Sequence, residues 1–327
     1  MSHAWLSSDL AFLDASCPLP LDRPFTSAEA ERLGVRRSTL KVLVERGLVT
    51  QWLHGVYAAA QVVNTIENRA EALRLVVSEH QIVTDRTAAW FHDVDLLPPS
   101  ALRAPMPIEV FGRDGSRVRR TGVTSGRRAM IHGDVTVIEG IQVTTKVRTA
   151  LDLGRRLRPP LALAALDALV RAGADKDAML GGVGRFRGQR GVVQLRSLVG
   201  LADGRAESPP ESILRWHWMA EGLPEHDLQI WVEDDVGHPR FRIDLGNEEL
   251  RYGAEYFGAR FHGEDRSEPD QARLLWLDRE RDWEIDIFIG EDLFGPTADP
   301  GPRLRAGVQR ARQRRGAWRA QGHFLHL

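Results

Sequence analysis

Glycine and proline set the limits of the regular segments in this chain. Gly34, Gly47, Gly55 and Gly222, with a Gly/Pro-containing junction over 200–210, cut it into short helical and strand-like runs. Glycine supplies left-handed turns, and proline cannot continue a helix. No apolar run approaches the roughly 18 residues that a membrane helix needs; the best stretch, 161–170, is interrupted by Asp167. No repeat at a solenoid period is present. With 327 residues and roughly 150 per domain, two or three domains are expected. The single cysteine, Cys17, excludes a disulfide framework and a cysteine-only zinc site. The first residues lack the apolar stretch of a signal peptide, so a cytoplasmic protein without a membrane segment is expected.

Charge is segregated along the chain. The formal net charge is −1, yet residues 201–295 sum to −14, 101–160 to +7 and 296–327 to +6. A basic middle, an acidic block and a basic tail follow one another in sequence. Only Lys41, Lys146 and Lys176 are lysines, so no lysine is available beyond 176 for chemistry.

The first unit, 1–60, reads as helix, tight turn, helix and hairpin. A short helix capped by Thr26 or Ser27 ends at Gly34, and 35–38 is a turn. A second helix over 39–46 carries Leu40, Leu43 and Val44 on one face and stops at Gly47. Residues 48–58 alternate as two strands around His54-Gly55. This is the winged helix-turn-helix plan. It places Arg36, Arg37, Ser38, Thr39 and Lys41 at the start of the second helix, where a recognition helix meets double-stranded DNA. His54 at the wing turn is a further candidate contact.

The second unit, 61–200, is mixed α/β. Helices are expected over 64–79, 87–92, 147–156 and 161–171, and strands over 81–84, 107–111 and 135–143. The loop 113–128 is rich in arginine (Arg113, Arg117, Arg119, Arg120, Arg127, Arg128, with Arg103 nearby) and can screen phosphates or simply remain solvated. Arg148 and Asp152, spaced i and i+4, can pair on one helix face. The strings Thr84-Asp85-Arg86-Thr87-Ala88-Ala89-Trp90-Phe91-His92 and Thr144-Thr145-Lys146-Val147-Arg148-Thr149-Ala150-Leu151-Asp152 resemble AbiEi-type antitoxins over about 25–170. Lys146 departs from the proline usual there, and Asp93 from a glycine. The resemblance implies a DNA-binding regulator of a toxin–antitoxin or phage-defence system, with a cognate toxin as partner.

The third unit, 201–327, follows the order α-β-β-β-α-β and ends in a basic helix. Ser208, Pro209 and Glu211 form a helix start of the capping-box kind. Asp244 and Glu255 lie within strand-like runs, where a carboxylate is costly unless exposed, paired or bound to a metal. The strings Glu211-Ser212-Ile213-Leu214-Arg215, Arg242-Ile243-Asp244-Leu245, Glu255-Tyr256-Phe257-Gly258, then His262 and Asp270-Gln271-Ala272-Arg273, resemble relatives of very-short-patch-repair endonucleases over about 205–290. That resemblance implies a restriction-endonuclease-like, PD-(D/E)XK core. In it Asp244 and Glu255 hold Mg²⁺ or Mn²⁺, and Glu211 and His262 complete the catalytic set for phosphodiester hydrolysis. Against activity stand Phe257, where an acidic residue is usual, the lack of a lysine, and the acidic charge of the unit. The expected fold class is therefore multi-domain α/β. The expected function is a DNA-binding, metal-dependent endonuclease or, alternatively, a non-enzymatic antitoxin and repressor whose degenerate nuclease fold binds a partner.

Overall fold

The computed structural model describes Trp5 and residues 11–96, 105–112, 122–126, 128–258, 268–295 and 297–320. The chain is mixed α/β, with three sheets among the described residues. It divides into two compact units, Met1–Leu97 with Ala101–Asp152, and Pro98–Ser100 with Leu153–Leu327.

In the first unit, β1 (Phe25–Thr26) leads into α1 (Ser27–Arg32). Glu29 N–H donates to the Thr26 hydroxyl at 3.1 Å, which caps the helix, and Gly34 at φ +86° ends it. The second helix, α2 (Arg37–Glu45), begins earlier than expected, with Arg36 as its N-cap, so the turn before it is shorter. It buries Leu40 and Leu43. Strands β2 (Val49–Leu53) and β3 (Val56–Ala59) pair antiparallel around Gly55 at φ +77°, and β1 adds to β3. The helix–turn–helix–hairpin order expected from the sequence is present.

After it comes α3 (Ile66–Arg74), capped by Thr65. The helix expected over 64–79 stops at Arg74, with Leu75 as its C-cap, and Ser78 N–H bonds the Gln81 side chain in the turn that leads into β4 (Gln81–Val83). There follow α4 (Asp85–Phe91), β5 (Ile108–Gly112), β6 (Val123–Gly126), β7 (Val135–Ile138) and β8 (Ile141–Thr144). The single strand expected over 135–143 is a hairpin. Glu139 (φ +46°) and Gly140 (φ +71°) form its two-residue turn, the left-handed pair that such a turn demands. The five strands are ordered β6-β5-β4-β8-β7, with β4 parallel to β8 and antiparallel to β5. The wing residues Trp52, Leu53, Val56 and Ala58 share one core with Leu73, Val83, Phe91, Ile108 and Val143.

Helix α5 (Lys146–Arg156) carries the chain to the second unit, which opens with α6 (Pro159–Arg171), α7 (Lys176–Gly182), a 3-10 turn (Val183–Phe186) and α8 (Val192–Leu201). Asp167, which interrupts the apolar run of α6, is fully buried. One guanidinium nitrogen of Arg215 reaches both its oxygens at 2.7 Å, and the Asp203 N–H reaches it at 2.8 Å. Arg215 belongs to α9 (Pro209–Ala220). Strands β9 (Asp227–Glu233), β10 (Pro239–Asn247) and β11 (Tyr252–Tyr256) form an antiparallel meander. Helix α10 (Glu268–Arg281) then leads to β12 (Glu284–Phe288), parallel to β11, giving the order β12-β11-β10-β9. Short α11 (Gly290–Leu293) and long α12 (Gly301–Ala320) close the described chain. Trp218, Leu245, Tyr252, Phe288, Leu304 and Val308 fill the core between α9, α12 and the sheet.

The acidic block finds its cations within the same unit. Arg310 of α12 bonds Glu284 at 2.6 Å and Asp286 at 3.0 Å, and Arg314 bonds Asp278 at 2.7 Å and Asp282 at 2.6 Å. Arg305 pairs with Glu221. Part of the acidic block and the basic tail that follows it thus meet in one intramolecular seam. Among the described residues, no helix is long and apolar enough to cross a membrane.

Candidate functional site

Two regions carry the residues singled out in the sequence. In the first unit, the start of α2 exposes Arg36, Arg37, Ser38 and Lys41, while Thr39 is half-buried. Arg37 is bonded to Glu31 at 2.9 Å and Lys41 lies 3.6 Å from Glu45. Both pairs are well exposed, so water and salt weaken them. Arg36 has no ion pair with a described residue. His54, on the wing turn, is exposed and lies against Gly122. A Cβ at Gly122 would strike that ring, and the backbone there is left-handed at φ +79°.

In the second unit, three of the four expected catalytic residues form an electrostatic chain. Glu211 fills its capping role. The Ser208 hydroxyl donates to one of its oxygens at 2.7 Å; Glu207 N–H and the Gln229 amide donate to the other at 2.9 and 2.8 Å. Burial, then the nearby Asp244 charge, pushes the Glu211 carboxyl up from its ordinary value. Asp244 accepts the Tyr256 N–H at 3.1 Å, just past the last paired step of the β10–β11 ladder, Leu245↔Ala254. Burial and the adjacent Glu255 raise its carboxyl to about 6. Glu255 is 2% exposed. His262 lies outside the described residues, as does most of the arginine-rich loop.

The residue that the sequence does not single out as part of the site is Arg273 of α10. Its two terminal nitrogens donate to the two Glu255 oxygens at 2.9 and 2.5 Å, and one also reaches the Arg242 carbonyl at 3.0 Å. This two-pronged geometry is the strong form of the arginine–carboxylate pair. A signal exists in the string Asp270-Gln271-Ala272-Arg273, but spacing alone does not say which carboxylate a helix arginine reaches. The arrangement does not fit an ion shared by Asp244 and Glu255. Both Glu255 oxygens and both Glu211 oxygens are engaged by protein donors. Among the described residues, no three His, Cys, Asp or Glu side chains are arranged to hold a metal.

The two strings that carry the antitoxin resemblance meet in a buried ionic network. Arg128 bonds Asp85 at 2.7 Å and Asp152 at 2.9 Å; Arg148 bonds Asp152 at 2.7 Å and also pairs with Asp134. Asp85 takes a left-handed φ of +51° to start α4. The Thr144 and Thr149 hydroxyls bond at 2.7 Å, and the His92 ring meets the Thr144 carbonyl at 2.7 Å.

This span is recognised independently: residues 81–201 match the AbiEi antitoxin C-terminal domain. Two proteins of Mycobacterium tuberculosis, the uncharacterized protein MT2308 (strain CDC 1551 / Oshkosh) and the uncharacterized protein Rv2248 (strain ATCC 25618 / H37Rv), are similar at greater length. Each is 31% identical over 287 residues, covering 84% of this chain and 98% of the relative. The chain belongs to the same family as these two proteins. The match over 81–201 supports a role in a toxin–antitoxin or abortive-infection system and suggests a cognate toxin as partner. The ionic network of Asp85, Arg128, Asp134, Arg148 and Asp152 lies wholly within that antitoxin match.

Proposed function

We propose that this protein is a DNA-binding antitoxin-type regulator. Residues 1–60 act as a winged helix on double-stranded DNA, 61–200 as the antitoxin domain, and 201–327 as a nuclease-like fold that binds the cognate toxin or another protein without cutting DNA. The observation that carries the DNA contact is the uncovered start of α2, where Arg36, Arg37, Ser38 and Lys41 stand exposed at a helix N-terminus. Exposed arginines there are suited to phosphates, and the hydroxyl and amine to groove edges. His54 at the wing turn would extend the contact. The test is fluorescence anisotropy with DNA from upstream of the protein's own gene, against a scrambled duplex of the same length. Equal affinity for both, or none for either, removes the regulator reading.

One observation favours a second reading, metal-dependent cleavage by Glu211, Asp244, Glu255 and His262. Three neighbouring carboxylates with Asp244 raised to about 6 are the kind of perturbed group found at functional sites. Incubation of supercoiled plasmid with the protein and Mg²⁺ or Mn²⁺ separates the two. Nicking that disappears in Asp244→Asn supports the nuclease, and intact plasmid across both metals supports the binding module.

A further inference from the structure

We propose that the open edge of β12 is a docking groove for an extended, basic segment of a partner protein, which adds to the sheet as a further strand. The inference rests on the reading of this unit as a protein-binding module. It names the surface and the kind of segment that the surface takes.

The edge is open by its hydrogen bonding. Glu284 N–H donates to the Arg251 carbonyl, and the Phe288 carbonyl accepts the Phe257 N–H, both at 2.8 Å. In this parallel ladder Glu284, Asp286 and Phe288 turn their backbone groups to β11, while Ile285 and Ile287 turn theirs outward. No described strand pairs with that side, because β12 ends the order β12-β11-β10-β9. An edge of this kind is a template for another strand. It is also the floor of a groove of about 550 Å³, lined by residues 283–287, by Leu274, Leu275 and Asp278 of α10 and by Arg303 of α12.

The walls select the occupant. Leu277 of α10 packs on the face of β12 that carries Ile285, and Arg310 of α12 holds Glu284 and Asp286 on the opposite face. With a helix on each face, the groove admits one extended chain. A second copy's β12 would bring its own two helices, each about 10 Å across, against these walls. Paired strands must lie only about 4.8 Å apart, so the occupant is a lone strand-like segment rather than another copy. Its side chains alternate between the two faces. On the α10 face they meet Ile285, Ile287, Leu274 and Leu275, the last 50% exposed, which favours apolar β-branched residues. On the other face they meet Glu284 and Asp286, whose partner Arg310 is 45% exposed. Residues 201–327 sum to −8, so the field of the unit draws cationic side chains to those positions.

The test is fluorescence anisotropy of a labelled, acetylated heptapeptide of alternating lysine and valine, titrated with the full-length protein. Saturable binding is expected, with a glutamate–valine heptapeptide weaker by about tenfold or more. N-methylation of one alternate set of peptide amides should abolish binding. Methylation of the other set should leave it within about twofold, because only every second amide of a strand faces its neighbour. Leu275→Arg, a change at an exposed position of the wall, should weaken the lysine–valine peptide by about tenfold. No saturable binding overturns the proposal, and so does equal affinity for the two charge types. The same effect from both methylated sets overturns it without any change to the protein. Self-association of the chain that Leu275→Arg abolishes assigns the groove to a second copy and overturns it as well. None of these outcomes bears on the module reading itself, which the plasmid test decides, so the two failures are distinguishable.

Discussion

Arg148 and Asp152 stand one turn apart on α5, bonded Nε to Oδ2 at 2.7 Å, with side chains 2% and 1% exposed. Around them Asp134 takes the other end of Arg148, and Arg128 links Asp152 to Asp85. Removing a single partner leaves buried charge without compensation. Arg148→Met should therefore lower the unfolding free energy by about 3–5 kcal/mol, measured by urea denaturation followed by circular dichroism. A decrease of less than about 1 kcal/mol would mean that the network contributes nothing to holding the antitoxin domain together.

For DNA, the start of α2 makes a salt-dependent claim. Replacing Arg36 and Arg37 with Ala should weaken binding at every salt concentration. It should also reduce the slope of log K against log salt by about one for each phosphate that the variant no longer neutralises. Anisotropy titrations across a series of salt concentrations measure this. An unchanged slope assigns DNA binding to another surface.

His226 gives a pH dependence with a defined sign. Burial, then the Arg215 charge, pushes its imidazole down to about 4, against an ordinary value near 6.5. Between those values the unfolded chain holds a proton that the folded ring refuses. Stability is therefore full above pH 6.5 and falls as the pH drops toward 4. His226→Gln should flatten this decline by about 1–2 kcal/mol, the ring being half-buried. Chemical denaturation of both proteins at half-unit steps from pH 7 to 4 checks it, and parallel curves would show that His226 does not carry the effect.

The seam between α12 and the sheet should be strong locally and modest globally. Arg310→Ala with Arg314→Ala removes the bonds to Glu284, Asp286, Asp278 and Asp282. These pairs are partly exposed, so the decrease in stability should stay near 1 kcal/mol in total. Proteinase K should nevertheless cut α12 several-fold faster in the variant, and 1 M NaCl should bring the wild type toward the same rate. Equal cutting rates at low salt would show that the apolar packing of Leu304 and Val308 holds the helix alone.

Elements are more legible in this sequence than partners. Caps and turns are local, so Thr26, Gly34, Gly55, Ser208 and Gly222 mark their segments correctly. The hairpin at 139–140 escapes the pattern because Glu139 adopts φ +46° in spite of being neither glycine nor asparagine. The short helices α7 and α8 are equally hard to read, since Lys176–Gly182 and Val192–Leu201 give little periodic signal between glycines. Of the carboxylate cluster, Glu211, Asp244 and Glu255 are legible as acids in unusual places. Arg273, which pairs with Glu255, is not.

By itself the sequence determined the helix–turn–helix–hairpin order, the α-β-β-β-α-β order that runs from α9 to β12, and the i, i+4 pair of Arg148 and Asp152. These depend on residues within a few positions of one another, where backbone geometry fixes the outcome. Only the tertiary structure decided that Arg128 joins Asp85 to Asp152, that Arg215 neutralises Asp167 and that α12 pairs with Glu284, Asp286, Asp278 and Asp282. It also decided that Arg273 closes on Glu255. Coulomb attraction acts through space, and with 41 arginines available the chain offers many pairings of equal local merit. Burial selects among them, because a charge removed from water keeps only the partner that packing brings within reach.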